Sequence, residues 1–174
     1  MAKDATYKVK FRRRREFKTN YKKRIALLKS GKPRLVVRKT NRYIIAQIVI
    51  SKEAQDYTLI GITSKILKKF GWNYSCKNLP ACYLTGLIIG KLAIKNNINE
   101  AILDIGLNRS TKGNRIYAVL KGALDAGLKV PHSEEILPNE ERIKGFHIAN
   151  YLEKFKNLPN DFELVKQKIL EKFK

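Results

Sequence analysis

The sequence contains few acidic residues, little cysteine and no long apolar run. Its 15 Asp and Glu stand against 37 Lys and Arg, which gives a formal net charge of +22 at pH 7. Two cysteines in 174 residues do not make a disulfide framework, and no apolar run approaches the roughly 18 to 20 residues that a membrane-spanning helix needs. The start, MAKDATYKVK, lacks the apolar stretch of a secretory signal. These absences predict an intracellular protein with reduced cysteines, and the excess positive charge predicts a polyanionic partner.

Groups that could carry out catalysis are equally scarce. The predicted strands offer one carboxylate, Asp104, and Asp125 falls near a helix C-terminus, whereas a two-metal nuclease needs several clustered carboxylates. Cys76 and Cys82 have no His or second Cys pair nearby that would complete a zinc site. The two histidines have no Ser or Cys nucleophile in a recognisable context. We therefore expect no enzyme activity, no metal and no cofactor, and we expect Asp104 to accept hydrogen bonds from backbone or arginine donors.

Positive charge is abundant near the start of the chain. Residues 1–42 hold 17 Lys and Arg and two acids, so this segment carries +15. Residues 1–15 show no apolar period, and we expect an extended arm that becomes ordered on its partner. Residues 16–30 predict a helix with basic faces and one apolar stripe. The stripe consists of Phe17, Tyr21, Ile25 and Leu28. A solvated tail is the alternative, but the stripe favours an ordered cationic surface of the kind that binds folded RNA.

The residues after this basic helix predict the element order βββαβαβ. Strands are expected at 34–39, 43–51, 57–64, 101–105 and 128–131, and helices at 79–95 and 115–126. An antiparallel meander cannot cross over, whereas strands separated by helices pair in parallel. The prediction is therefore an α/β fold with a mixed five-stranded sheet and helices on both faces. In the first of the two helices, Gly86 and Gly90 are expected to face the sheet.

The chain beyond residue 132 predicts accessory helices. Residues 139–155 favour one helix rich in charge, and Asn160 with Glu163 forms a capping box that would begin another. The apolar stripe of this last helix consists of Phe162, Val165, Ile169 and Phe173. We therefore divide the chain into a basic N-terminal arm and helix (1–33), an α/β core (34–132) and a C-terminal helical extension (133–174).

Two further basic clusters lie in predicted loops. One is the hairpin turn at residues 40–42, and the other is the loop 107–114, which contains Arg109 and Lys112 and ends at Arg115. A loop that follows a parallel strand opens at the carboxyl edge of the sheet, where ligands tend to bind. Ordinary exposed loop charge is an alternative of about equal weight.

Three runs of the sequence carry a family resemblance. They are GKPRLVVRKTNRYIIAQ from Gly31, FGWNYSCKNLPACYLTGLIIG from Phe70 and AILDIGLNRSTKGNRIYAVLKGALDAGLKVPH from Ala101. Together they closely resemble the archaeal form of large-subunit ribosomal protein eighteen, whose eukaryotic counterpart is numbered five, over roughly residues 7–150. The resemblance implies a ribonuclease H-like fold without catalysis. It also implies a structural role in translation, in which the protein binds 5S ribosomal RNA in the central protuberance of the large subunit, beside large-subunit protein five and other ribosomal RNA.

The resemblance further implies RNA contacts on the arm, the basic helix, the hairpin and the loop. The residues are Arg12, Arg13, Arg14, Arg15, Lys18, Tyr21, Arg24, Arg34, Arg38, Lys39, Asn41, Arg42, Tyr43, Arg109, Lys112 and Arg115. Two other functions are the alternatives. A free-standing RNA chaperone or regulatory RNA binder would use the same contacts, and a metal-dependent nuclease would need carboxylates that the strands do not supply.

Overall fold

The computed structural model of the chain describes residues 4–53 and 55–173. Residues 1–3 of the predicted arm and residue 174 of the predicted C-terminal extension lie outside the described residues. The helices are α1 (Arg12–Arg15), α2 (Tyr21–Leu28), α3 (Leu79–Lys95), α4 (Arg115–Asp125), α5 (Glu140–Lys144), α6 (Phe146–Ala149) and α7 (Leu158–Lys172). The strands are β1 (Arg34–Lys39), β2 (Ile44–Lys52), β3 (Gln55–Thr63) and β4 (Ile102–Asp104). Short 3-10 helices cover Ser64–Phe70, Glu134–Ile136 and Glu153–Phe155.

The sheet is mixed and has the strand order β3-β2-β1-β4. Strand β1 pairs antiparallel with β2, with Leu35 opposite Ile48, and parallel with β4, with Leu35 opposite Leu103. Runs of β-branched residues suit these strands. The turn between β1 and β2 is closed by Thr40, whose backbone N–H donates to the Tyr43 carbonyl at 2.9 Å. The predicted α/β class and the antiparallel meander are therefore confirmed.

The predicted fifth strand, over residues 128–131, is wrong. Over the described residues the sheet has four strands, and this segment forms a single parallel bridge between Glu100 and Lys129. In the bridge the Lys129 N–H donates to the Asn99 carbonyl at 2.9 Å. Pro131 follows two residues later, and because proline has no N–H it cannot extend a ladder. The segment therefore occupies the place of a fifth strand without forming one.

Helices on both faces of the sheet were also predicted, and the two faces differ in what covers them. Helices α3 and α4 pack on the same face, where their apolar side chains enclose Leu35, Val37 and the inward residues of β2. Side chains alternate along a strand, so Arg34 and Arg38 lie on the opposite face of β1. Those charged groups pair with carboxylates across neighbouring strands. An ionic layer, which also includes Arg24 of α2, therefore lies on the face opposite α3 and α4.

Helix α3 approaches α4, and not the sheet, so closely that two of its positions have room only for glycine. A Cβ on Gly86 would overlap the Val119 carbonyl of α4, and a Cβ on Gly90 would lie 2.6 Å from the Ala126 Cβ. Gly122 of α4 lies equally close to the backbone of α3. The prediction that Gly86 and Gly90 face the sheet is thus wrong, because the absent Cβ atoms let two helix backbones touch. No helix among the described residues is both long enough and apolar enough to cross a membrane.

The C-terminal segment is more divided than its sequence pattern predicts. The single helix expected over residues 139–155 is interrupted at Gly145, whose φ of 88° separates α5 from α6. Helix α7 begins at Leu158 and not after Asn160, since Pro159 is accommodated in its first turn. The predicted capping box is therefore wrong.

Helix α7 forms part of an apolar core. Its predicted stripe is confirmed, because Phe162, Val165 and Ile169 are buried. They join a second cluster with Trp72 and with Leu84 on the side of α3 that faces away from the first cluster. Helix α7 was predicted to be an accessory helix, but it covers apolar residues of α3 and is part of the core.

Candidate nucleic-acid interface

The basic N-terminal segment contains two short helices. The four consecutive arginines form α1, so the extended arm predicted for this part of the chain is wrong at Arg12–Arg15. The helix predicted over 16–30 begins at Tyr21, since the Asn20 side chain accepts from the Lys23 N–H at 3.1 Å and caps α2. Phe17, with a φ of 52°, lies in the break between the two helices. The segment therefore bends between its two basic helices.

The apolar stripe predicted for this region does not form one buried seam. Phe17 is 85% exposed and Ile25 is 55% exposed. Tyr21 instead packs on Phe11, with their ring centroids 5.3 Å apart, and this contact holds the start of α1 against α2. The N-terminal segment therefore exposes the aromatic ring of Phe17 to solvent, close in sequence to its basic residues.

The arginines of α1 are exposed and mostly unneutralised. The Arg12 guanidinium lies 3.8 Å from Glu16, which pairs more closely with Lys18 at 2.8 Å. Arg14 and Arg15 have no carboxylate partner among the residues that the structure describes. Exposed cations of this kind are free to meet phosphates.

Helix α2 is connected to the sheet through ionic contacts. The Arg24 guanidinium donates two hydrogen bonds of 2.8 Å to the Asp56 carboxylate at the start of β3. Arg34 of β1 donates to the same carboxylate at 2.6 Å. The Arg24 hydrogen bond first, and then Arg34, lowers the pKa of Asp56 to about 2. Asp56 is therefore ionised wherever the protein is folded near neutral pH.

The ionic contacts continue across the sheet to β4. Arg34 donates to Asp104 at 3.0 Å, and Asp104 accepts from Arg38 at 3.0 Å and from the Gly106 N–H at 2.8 Å. This confirms the prediction that Asp104 accepts from arginine and backbone donors. We call the connected series Arg24, Asp56, Arg34, Asp104 and Arg38 the ionic relay.

Burial corrects the role predicted for one residue of the relay. Arg34 is 2% exposed, and both of its terminal guanidinium nitrogens are bonded to carboxylates, so it does not reach the surface where RNA would bind. Its Nε is buried without a hydrogen-bond partner among the described residues. Arg38 keeps a 40% exposed side chain although it donates to the Asp104 side chain and carbonyl. Arg34 is therefore structural, and Arg38 remains accessible.

The hairpin tip lines a shallow depression of about 350 Å³. Asn41 and Arg42 are exposed there and Tyr43 is partly buried. Lys68 and Lys77 form the opposite side of the same depression. Lys39 precedes the turn and is partly exposed. The predicted hairpin contacts are thus joined by two lysines from other elements.

The loop before α4 lies beside the same surface. Arg115 donates to the Lys77 carbonyl at 3.4 Å, and both residues line a second depression of about 440 Å³ together with Arg142 and His147. Since Lys77 lines both depressions, they form one basic surface. We call it the tip–loop surface, and it comprises Asn41, Arg42, Tyr43, Lys68, Lys77, Arg115, Arg142 and His147.

Two predicted loop residues lie outside this surface. Arg109 is exposed and lines neither depression, and Lys112 pairs with Glu135 at 3.0 Å. Conversely, Lys68, Lys77 and Arg142 were not predicted as site residues. They come from separate segments of the sequence, and each is an ordinary surface cation in its local context. Only the fold brings them together.

Groups that could support catalysis are few and unsuitable. Cys76 and Cys82 are buried free thiols, and burial raises the pKa of Cys82 to about 12. Burial also lowers the pKa of His147, with a smaller contribution from Arg142. Among the described residues no group of His, Cys, Asp and Glu could hold a metal ion. The cations of this surface suit recognition of an anion.

Comparisons with known proteins give the family. A model described as "Ribosomal large subunit proteins 60S L5, and 50S L18" matches residues 5–99 and 95–133. The chain is 60% identical to large ribosomal subunit protein uL18 of Korarchaeum cryptofilum over 154 residues, covering 88% of this chain and 79% of that protein. It is 47% identical to the uL18 of Caldivirga maquilingensis over 196 aligned positions, covering 99% and 95%.

The second of these alignments includes the C-terminal helices, which the family model leaves out. Both relatives are named as large ribosomal subunit proteins. The family resemblance read from the sequence is confirmed. By the extent of these matches, the chain belongs to the family of ribosomal large subunit proteins 60S L5 and 50S L18, and it is a ribosomal protein, not an enzyme.

Proposed function

We propose that this chain binds 5S ribosomal RNA as a structural constituent of the large ribosomal subunit and helps attach that RNA in the central protuberance. The observation that carries the proposal is the exposed row of arginines in α1, Arg12–Arg15, beside the cations of α2. Cations that neutralise phosphates supply much of the affinity for RNA and release its counterions.

Aromatic side chains add a second kind of contact. Phe17 is 85% exposed between the two basic helices, and Tyr43 stands partly exposed at the hairpin tip. Sequence-specific RNA recognition uses unpaired bases that stack on aromatic side chains. We therefore assign phosphate contacts to the arginines and base stacking to Phe17 and Tyr43.

The tip–loop surface provides a separate place for RNA. It lies on the folded core, whereas α1 and α2 lie on an extension that contributes no residue to either apolar cluster over the described part of the chain. Two basic surfaces on one protein can hold two segments of folded RNA at once, which raises the effective affinity for both. The partners proposed are 5S ribosomal RNA, neighbouring large-subunit RNA and large-subunit protein five, in the cytoplasm.

The fold proposed for the core is ribonuclease H-like. The strand order β3-β2-β1-β4, with the Glu100–Lys129 bridge in the position of a fifth strand, supports this assignment. Asp104 at the end of β4 is neutralised by two arginines and has no clustered carboxylate beside it. A core of this kind would carry the RNA-binding surfaces without cutting RNA.

The test is a salt titration of RNA binding by the full chain. If about six to ten cations meet phosphates, the affinity for 5S ribosomal RNA falls by roughly 10³ to 10⁵ between 50 and 200 mM salt. A transfer RNA of similar size serves as the control for nonspecific binding, and footprinting of total ribosomal RNA locates the site. Protection spread evenly over all RNA, or affinity insensitive to salt, would contradict the proposal.

A further inference from the structure

Helix α2 contacts the core through an ion pair. None of its residues, all of which the structure describes, is buried. Its connection to the sheet is the bidentate pair between Arg24 and Asp56, whose two hydrogen bonds measure 2.8 Å each. Bidentate arginine–carboxylate pairs fix the relative orientation of the two groups as well as their distance. The pair with Asp56 therefore helps to set the orientation of α2.

Asp56 is itself held from the protein side. Arg34, which is 2% exposed, donates to it at 2.6 Å and also pairs with Asp104 at 3.0 Å. Arg34, which is buried, thus holds the Asp56 carboxylate in place independently of Arg24. A carboxylate that is already held loses less conformational freedom when a second cation binds. The pair is consequently better suited to orient a helix than an isolated surface pair is.

We propose that Asp56 is a positioning residue for RNA binding: it holds α2 through Arg24 so that the cations and aromatic groups of the N-terminal segment lie ready for RNA. This inference rests on the proposed function. It assigns to an acidic residue a favourable part in binding a polyanion. Charge alone predicts the reverse, because removing a carboxylate from a basic surface strengthens attraction to phosphate.

Loss of positioning predicts weaker RNA binding when Asp56 is replaced, whereas the gain in positive charge predicts stronger binding, so the direction of the change tests the inference. Asp56→Asn makes the protein one unit more positive and breaks the pair with Arg24. Glu53→Gln makes the same charge change in the neighbouring turn, where Glu53 is exposed and has no ion pair among the described residues. Binding of each full-length variant to 5S ribosomal RNA is measured beside the unchanged protein. Thermal unfolding and circular dichroism check that each variant is folded.

The result expected is weaker binding by Asp56→Asn, about threefold to tenfold, because a released helix is competent for binding only part of the time. Glu53→Gln is expected to bind as tightly as the unchanged protein or more tightly. Asp56→Glu, which can still pair with Arg24, should recover most of the lost affinity. Tighter or unchanged binding by a folded Asp56→Asn protein would overturn the inference.

A second pair of variants covers the case in which Asp56→Asn unfolds the protein by leaving Arg34 with one partner. Arg24→Gln releases α2 and keeps the buried contacts intact, and Lys22→Gln removes the same charge from an exposed position of the same helix. Arg24→Gln is expected to lose more affinity than Lys22→Gln, and equal losses would contradict positioning. If the unchanged protein fails to bind 5S ribosomal RNA selectively, the proposed function fails instead, which is a different outcome.

Discussion

Gly86 in α3 lies directly against the Val119 carbonyl in α4, so closely that a Cβ atom at Gly86 would occupy the space of that backbone. Gly122 makes the reciprocal contact with the Tyr83 backbone. The two helices that cover the sheet are therefore in backbone contact with each other. The buried apolar side chains of α4 lie in the cluster with the sheet, whereas those of α3 are divided between that cluster and the one that contains α7.

Gly86→Ala is expected to destabilise the protein. The obstructing atoms belong to the Val119 backbone, which cannot rotate away, so the helices must separate, at roughly 1 to 3 kcal/mol or more. Urea unfolding measures the change. Gly61→Ala is the matched control, because a Cβ there would lie 3.6 Å from the nearest Thr58 atom, an ordinary contact. Equal stability of the two variants would show that α3 and α4 are not so close.

Local signals predicted the bounds of α3 and α4 closely. Helix α3 spans Leu79–Lys95 as predicted, since the Asn78 side chain accepts from the Ala81 N–H at 3.0 Å and Pro80 suits the first turn. Gly71 and Gly127 follow helical segments with positive φ, the conformation that glycine adopts readily at a helix end. Each of these features depends on residues within a few positions of one another. A sequence pattern can therefore reveal them.

Contacts between distant residues could not be predicted in this way. Arg34 and Asp104 are 70 positions apart, and nothing local distinguishes Arg34 from the exposed arginines near it. The same limit applies to Gly86, whose small size predicts a close neighbour but does not say whether that neighbour is a strand or a helix. Lys77 and Arg142 likewise become part of one surface through tertiary packing.

Asp56 should make stability depend on pH in the acid range. Arg24 and Arg34 lower its pKa from 3.8 to about 2 in the folded protein. A lowered pKa means that ionised Asp56 stabilises the fold above its unfolded pKa, and this contribution is lost as the pH falls from about 4 through about 2. Urea unfolding at several pH values should therefore show the unchanged protein losing its stability advantage over Asp56→Asn in that window.

Lys77 and Arg142 test the tip–loop surface. Replacing either with Gln should weaken binding to 5S ribosomal RNA and make the plot of log affinity against log salt shallower by about one unit. Lys154→Gln is the control, since Lys154 is exposed and lines neither depression. Equal loss of affinity in all three variants would contradict the prediction, because it would mean that each cation acts only through the net charge of the protein and not through contact with RNA.

Deletion of residues 1–30 separates the fold from RNA binding. The truncated chain should remain folded, because over the described residues 4–30 no side chain belongs to either apolar cluster, and all four strands are retained. It should also bind RNA much more weakly, since the deletion removes twelve Lys and Arg and two acids. The tip–loop surface remains, so we expect weak residual binding with a shallower salt dependence.

Circular dichroism and thermal unfolding of the truncated chain, beside a salt titration of its binding to 5S ribosomal RNA, measure both effects. A cooperative transition would support the division between the N-terminal segment and the core, because a domain with its own apolar clusters unfolds as a unit. Loss of the transition would mean that Arg24 contributes to the core through Asp56 more strongly than two partly exposed side chains allow. If the truncated chain binds RNA as tightly as the full chain, the N-terminal helices are not the RNA site and the tip–loop surface alone binds the RNA.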